Sequence, residues 1–101
     1  MPKRYVYQIE WDPIKAQDNI IKHKIAFERA ATVFLDAAAA SLYDEEHSVD
    51  EDRWITLGID KIGVLLCVHH TFREESGSSA RIRIFSARKA TKNEITDYRR
   101  K

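Results

Sequence analysis

Arg81, Arg83 and Phe85 alternate along residues 80–87, separated by the apolar Ile82 and Ile84. In an extended chain successive side chains point to opposite faces, so the two arginines and the ring share one face and the isoleucines the other. A planar guanidinium fork grips phosphate and an aromatic face offers a stacking surface, which suits RNA. A strand that merely protects its wet face with arginine would look the same. Ser86 continues the segment. Arg88 and Lys89 follow where it meets a last helix, whose N-terminal N–H groups favour anions. Ordinary loop charge is the plainer reading of that pair.

His69 and His70 are neighbours in a strand-like segment and must therefore face opposite ways. Imidazole titrates near neutrality, so either could move a proton, and either could equally be a hydrogen-bonded core residue. Cys67 shares a face with His69, but the two have no carboxylate or further histidine beside them. No metal and no cofactor are expected. Cys67 lies among Leu65, Leu66 and Val68, where burial raises a thiol's pKa, so it is expected to be core and not a nucleophile. His47, among acidic residues, reads as solvated.

These groups need elements to hold them. Residues 5–11 are rich in aromatic and β-branched types and predict a strand. Asp12 and Pro13 supply an N-cap and a first helical position for a helix running to about Lys22–His23. Phe27, Ala30, Ala31, Phe34 and Leu35 form one apolar stripe of a second helix. Residues 38–43 predict a short strand, with extension of the second helix through Ala40 as the alternative. Residues 53–59 and 64–71 predict strands joined by a tight connection at 60–63. The later one is apolar on both faces and so expected to be central. Residues 74–79 read as a polar turn, and Thr91 with Glu94 as a capping box opening a short helix whose inner side is Ile95 and Tyr98. The order β-α-α-β-β-β-β-α predicts an α+β fold, an antiparallel sheet with helices packed on one face.

The chain has 101 residues, 44% apolar and 33% charged, which fits one domain over 1–101. Its longest apolar run, 64–68, is far short of a membrane span of roughly 18 residues. The opening Met1-Pro2-Lys3-Arg4-Tyr5 lacks the apolar stretch of a signal peptide, and a lone cysteine suits a reducing compartment, so a cytoplasmic location is expected. The net charge of +1 hides an asymmetry. Residues 81–101 carry eight basic and two acidic side chains and sum to +6, leaving −5 on the rest, much of it in 44–52. Such a split suits a polyanion at one end and a basic partner at the other, or simply two solvated segments.

Several segments carry a family pattern in order. Ile9-Glu10-Trp11-Asp12-Pro13-Ile14-Lys15, Asn19-Ile20-Ile21-Lys22-His23 and Phe27-Glu28-Arg29-Ala30 resemble the opening of the BrnT toxin family. Val33-Phe34-Leu35-Asp36, Arg53-Trp54-Ile55-Thr56-Leu57-Gly58, Arg83-Ile84-Phe85-Ser86-Ala87-Arg88-Lys89-Ala90-Thr91 and Glu94 continue the resemblance over nearly the whole chain. Lys24 stands where the family commonly has glycine, and Phe85 where isoleucine is frequent.

The resemblance implies a RelE-like fold and a metal-independent endoribonuclease toxin of a type II toxin–antitoxin system, one that inhibits translation and growth. It also implies a BrnA-like DNA-binding antitoxin, a 2:2 heterotetramer with it, and operator DNA met only through that partner. In such cleavage the ribose 2′-hydroxyl attacks the adjacent phosphate through a phosphorane with extra negative charge. Arg53, Arg73, Arg83 and Arg88 are the implied cations, with His70 or His23 to move a proton. Lys22, His23, Arg81, Phe85, Ser86, Lys89 and Tyr98 are the implied RNA contacts, Tyr98 orienting the phosphate, and Glu28 would brace an arginine. The alternatives are a nucleic-acid-binding module without catalysis and a protein-interaction module using 44–52. The ribonuclease reading requires the guanidinium groups to gather on one uncovered sheet face, not to be spent in internal ion pairs.

Overall fold

Asp12 and Pro13 separate the first strand from the first helix in a computed structural model that describes residues 6–100. Tyr5, the opening Met1–Arg4 segment and Lys101 lie outside the described residues. Strand β1 (Val6–Trp11) ends at Asp12, whose Oδ1 accepts from the Ile14 N–H at 2.8 Å, and Pro13 takes the first position of helix α1 (Pro13–His23). The helix stops at Lys24, which is left-handed (φ 61°, ψ 27°) and donates its N–H to the Ile20 carbonyl. That is the terminating geometry glycine adopts most easily.

Helix α2 spans only Phe27–Ala31 and tightens into a 3-10 turn, Thr32–Leu35. The tightening changes the apolar stripe that an unbroken helix would have made. Val33 turns inward and is fully buried, whereas Leu35, expected on the inner face, is 85% exposed. Val33 closes on Gly58, where an added Cβ would lie 2.5 Å from Val33 Cγ1, so the glycine lets the turn meet the sheet. The remaining elements are β2 (Ala40–Tyr43), β3 (Arg53–Ile59), β4 (Leu65–Thr71), β5 (Arg73–Ser76), β6 (Ser79–Lys89) and α3 (Lys92–Arg99). Part of the expected polar turn at 74–79 is therefore the strand β5.

The sheet runs β1-β6-β4-β3-β2, with β5 paired to β6. β4 is central, as its apolar faces predict. The expectation of a wholly antiparallel sheet is corrected at one place: β1 runs parallel to β6, so the α+β fold has a mixed six-stranded sheet. Ile25, Phe27, Ala30 and Val33 pack on Leu66, Val68, Ile82, Ile84 and Ala87 to form the core. Asn19 staples α1 to the sheet from inside. Its Nδ2 donates to the carbonyls of Ile25 and Ala87, and its Oδ1 accepts from the Ala87 N–H.

A β-bulge decides which side chains share the uncovered face. His69 pairs with Ser86 but His70 with Ile84, so Phe85 is an extra residue in β6. Ile82, Ile84 and then Ala87 point inward, leaving Arg81, Arg83 and Phe85, and beyond the bulge Ser86 and Arg88, on the other face. Strict alternation would have buried Ser86 and Arg88. Helix α3 carries the expected capping box: Thr91 Oγ1 accepts from the Glu94 N–H, and Glu94 Oε1 accepts from the Thr91 N–H. Among the described residues no helix is long and apolar enough to cross a membrane.

Candidate functional site

Adjacent strands lay a row of polar groups across the face turned away from the helical core. Glu10 on β1 is the register partner of Arg83 on β6, and Arg53 on β3 is that of Thr71 on β4. Thr71 Oγ1 accepts from the Arg83 N–H at 3.1 Å, which joins the two pairs. Glu51, two residues before β3, closes the row. Its Oε1 lies 2.6 Å from Arg83 Nη2 and 3.5 Å from Arg53 Nη2. The loop carrying it is tied at both sides: the Arg53 N–H donates to Ser48 Oγ, and the Phe72 N–H to the Asp52 carbonyl.

Arg53 lies over the Phe85 ring, 4.7 Å from its centroid, and its buried Nε has no hydrogen-bond partner among the described residues. Lys15 Nζ stands 6.0 Å from the same ring. A cavity of about 510 Å³ opens at Glu51, Arg73, Arg81 and Arg83. A second, about 440 Å³, is lined by His47, Arg53, His69, Phe85 and Ser86, and a third, about 310 Å³, by Lys15, Lys22, His23, Phe85 and Ser86. Phe85 and Ser86 are common to the last two, so the expected contacts Lys22, His23, Phe85 and Ser86 line one cavity that adjoins the cavity Arg53 lines.

The arginines gather, yet each is paired. Arg83 and Arg53 share Glu51; Arg81 and Arg73 share Glu75, and Arg81 also meets Gln8 and Glu10. Hydrogen bonds from Arg81 hold the Glu75 carboxyl below its ordinary range. A guanidinium has five N–H donors, and Arg53 and Arg83 each give only Nη2 to Glu51. Donors on both therefore remain for a phosphate. Arg88 differs. Its Nη1 and Nη2 reach both Glu94 oxygens at 2.7 and 2.9 Å, a fork that holds the Glu94 carboxyl down to about 2. Arg88 thus fastens α3 and does not join Arg53 and Arg83, against expectation.

His70 is the clearest correction. The residue expected to carry a proton is fully buried, with Nε2 2.6 Å from Thr56 Oγ1 and Nδ1 2.9 Å from the Thr71 carbonyl. The even spacing along β4 turns it into the core, and burial pushes its pKa down to about 4. His69 faces the site instead, half-buried, with its ring 6.2 Å from Phe85 and Nε2 3.8 Å from Cys67 Sγ. Burial, then the Arg88 charge, lowers its pKa. Burial also pushes the Cys67 thiol up to about 12.

Tyr98 lies away from the row as well. Its hydroxyl donates to Asp36 Oδ2, which also accepts from the Ile59 N–H. Ile59 ends the strand that Arg53 begins, which places Tyr98 at a site about 20 Å along the sheet. Lys89 is exposed at the end of β6, and Glu28 is exposed with no arginine paired to it among the described residues. Sequence reasoning missed Glu51 and Asn19. The only trace of Glu51 was the acidic excess of 44–52, and a lone asparagine in a helix has no spacing to betray it. Among the described residues no three His, Cys, Asp or Glu side chains are arranged to hold a metal ion.

The family model described as the ribonuclease toxin, BrnT, of type II toxin–antitoxin systems matches residues 11–94. The crystal structure of the Brucella abortus ribonuclease toxin BrnT superposes with a TM-score of 0.60, covering 86% of this chain and all of that one, at 21% identity. That likeness is one of fold. No curated protein matches the chain.

Proposed function

The chain belongs to the BrnT family of ribonuclease toxins of type II toxin–antitoxin systems, and from that membership we propose that it cleaves RNA on the uncovered sheet face without a metal ion. Arg53 and Arg83 hold the scissile phosphate, and Arg73 and Arg81 the phosphates beside it. Phe85 stacks under a base, with Lys15, Lys22, His23 and Ser86 along the adjoining cavity. The ribose 2′-hydroxyl attacks phosphorus and the 5′-oxygen leaves, giving a 2′,3′-cyclic phosphate and a 5′-hydroxyl. Clustered cations favour the phosphorane over the ground state because it carries more negative charge.

One observation carries the reading. The Arg53 guanidinium lies over the Phe85 ring and shares the Glu51 carboxylate with Arg83 through one nitrogen of each. A guanidinium beside an aromatic ring offers phosphate and base contacts together. In the cytoplasm, cleavage inhibits translation and growth, and a BrnA-like antitoxin neutralises it in a 2:2 assembly that alone meets operator DNA.

The test is purified protein with end-labelled RNA, in EDTA, beside an Arg53→Ala/Arg83→Ala variant. Fragments are expected in EDTA, and the double variant is expected to be slower by about 10²–10³. A reaction that EDTA abolishes, or a folded double variant that cuts at the wild-type rate, overturns the proposal. RNA that is bound but left intact would favour a binding module.

A further inference from the structure

We propose that Glu51 is the general base of this site, taking the proton from the ribose 2′-hydroxyl; the proposal rests on the ribonuclease reading above. The hydroxyl that attacks sits on the sugar carbon next to the one bearing the phosphate. A proton acceptor must therefore stand beside the groups that hold that phosphate. Glu51 Oε1 does so, 2.6 Å from Arg83 Nη2 and 3.5 Å from Arg53 Nη2. The two contacts take only Nη2 from each guanidinium, and Arg53 Nη1 gives no hydrogen bond among the described residues. Glu51 is thus a brace that shares the cations with substrate, not a plug that exhausts them.

Other acceptors are less well placed. His70 is sealed in the core. His69 turns Nε2 toward Cys67 Sγ, and His47 Nδ1 is engaged by Asp44 at 3.0 Å. Glu10 lies 3.7 Å from Arg81, and Glu75 sits with Arg73 and Arg81 on the hairpin. Neither of these carboxylates touches Arg53. Position is also fixed for Glu51 by its neighbours, through the Arg53 N–H on Ser48 Oγ and the Phe72 N–H on the Asp52 carbonyl.

The step balances simply. The O2′–H bond breaks and its proton passes to the Glu51 carboxylate. O2′ bonds to phosphorus, the P–O5′ bond breaks, and O5′ takes a proton from solvent. Glu51 then returns its proton to solvent.

The experiment compares wild type with Glu51→Gln in two measurements: single-turnover cleavage of an RNA, and binding of the same sequence fully 2′-O-methylated, which cannot react. The expected result is cleavage slowed by about 10²–10⁴ with binding changed by no more than about threefold. Glu51→Asp withdraws the carboxylate by one methylene and is expected to fall between the two. It serves alone if Glu51→Gln does not fold. Cleavage by a folded Glu51→Gln variant at or above the wild-type rate overturns the role. So does a loss accounted for wholly by weaker binding. Wild-type protein that binds RNA without cutting it overturns the ribonuclease reading, and the role with it.

Discussion

The Thr56 hydroxyl lies 2.6 Å from Nε2 of the fully buried His70, and His70 Nδ1 lies 2.9 Å from the Thr71 carbonyl. A carbonyl can only accept, so Nδ1 carries the ring proton and Nε2 accepts from Thr56. Ser41 Oγ, 2.8 Å from Thr56 Oγ1, extends the chain to the edge strand. The arrangement suits a neutral ring, and a second proton would require the Thr56 hydroxyl to turn from donor to acceptor.

A pH dependence follows from this ring. The unfolded chain's histidine takes a proton near 6.5, whereas burial delays protonation in the fold to about 4. Between these values the unfolded state binds more protons, so stability is greatest above about 6.5 and declines as pH falls toward about 4. The loss from this one residue is about 3 kcal/mol. Urea unfolding midpoints from pH 7.5 to pH 4 measure it, and His70→Gln should lack that part of the decline. An equal decline in both proteins would remove the assignment.

Lys24 gives a prediction of opposite sign. A side chain at φ 61° is strained where glycine is not, and the helix ends there through a backbone bond that substitution would keep. Lys24→Gly should stabilise the protein by about 1 kcal/mol, raising the melting temperature by about 4–8 °C. An unchanged or lower melting temperature would show that Lys24 makes a compensating contact.

Local signals made much of the fold legible. Asp12-Pro13, the Thr91–Glu94 box and the alternation at 80–84 each act within a few residues, and each appears where the sequence predicts it. Signals failed where distant parts of the chain decide. Parallel pairing of β1 with β6 joins residues about seventy positions apart, such as Val6 and Ser79, with no local mark. The bulge that turns Ser86 and Arg88 outward arises from the fit of β6 to β4, and the 3-10 turn that expels Leu35 from contact with Gly58. The site was half visible: Arg81, Arg83 and Phe85 by alternation, but not Glu51, which a loop brings to Arg83 from 32 residues away. Choosing between His69 and His70 needed the phase of β4, and a strand apolar on both faces does not show it.

Arg88 and Glu94 should behave as a structural pair. Removing Glu94 breaks a helix cap and a two-point ion pair together, so Glu94→Ala should cost about 1–2 kcal/mol at neutral pH. The Arg88 fork holds the Glu94 carboxyl at about 2 against an ordinary 4.5. Its stabilisation is therefore present above about 4.5 and lost as pH falls through about 2. Arg88→Ala should lower the melting temperature while RNA cleavage stays within a few-fold of wild type. A large loss of cleavage in a variant of unchanged stability would return Arg88 to the active site.

Phe85 tests the division of labour on the uncovered face. Its ring lies beneath Arg53 and near Lys15, in the cavity shared with His69 and Ser86. If a base stacks there, Phe85→Ala should weaken binding of a non-cleavable 2′-O-methyl RNA by about 1–3 kcal/mol. Phe85→Trp keeps a ring and should bind within a few-fold of wild type. Phe85→Ile keeps the apolar bulk but no π-face, so it separates stacking from simple packing. Binding like Phe85→Ala would assign the contact to stacking. Binding like wild type would mean that the side chain only supports the Arg53 guanidinium, and that the base lies elsewhere.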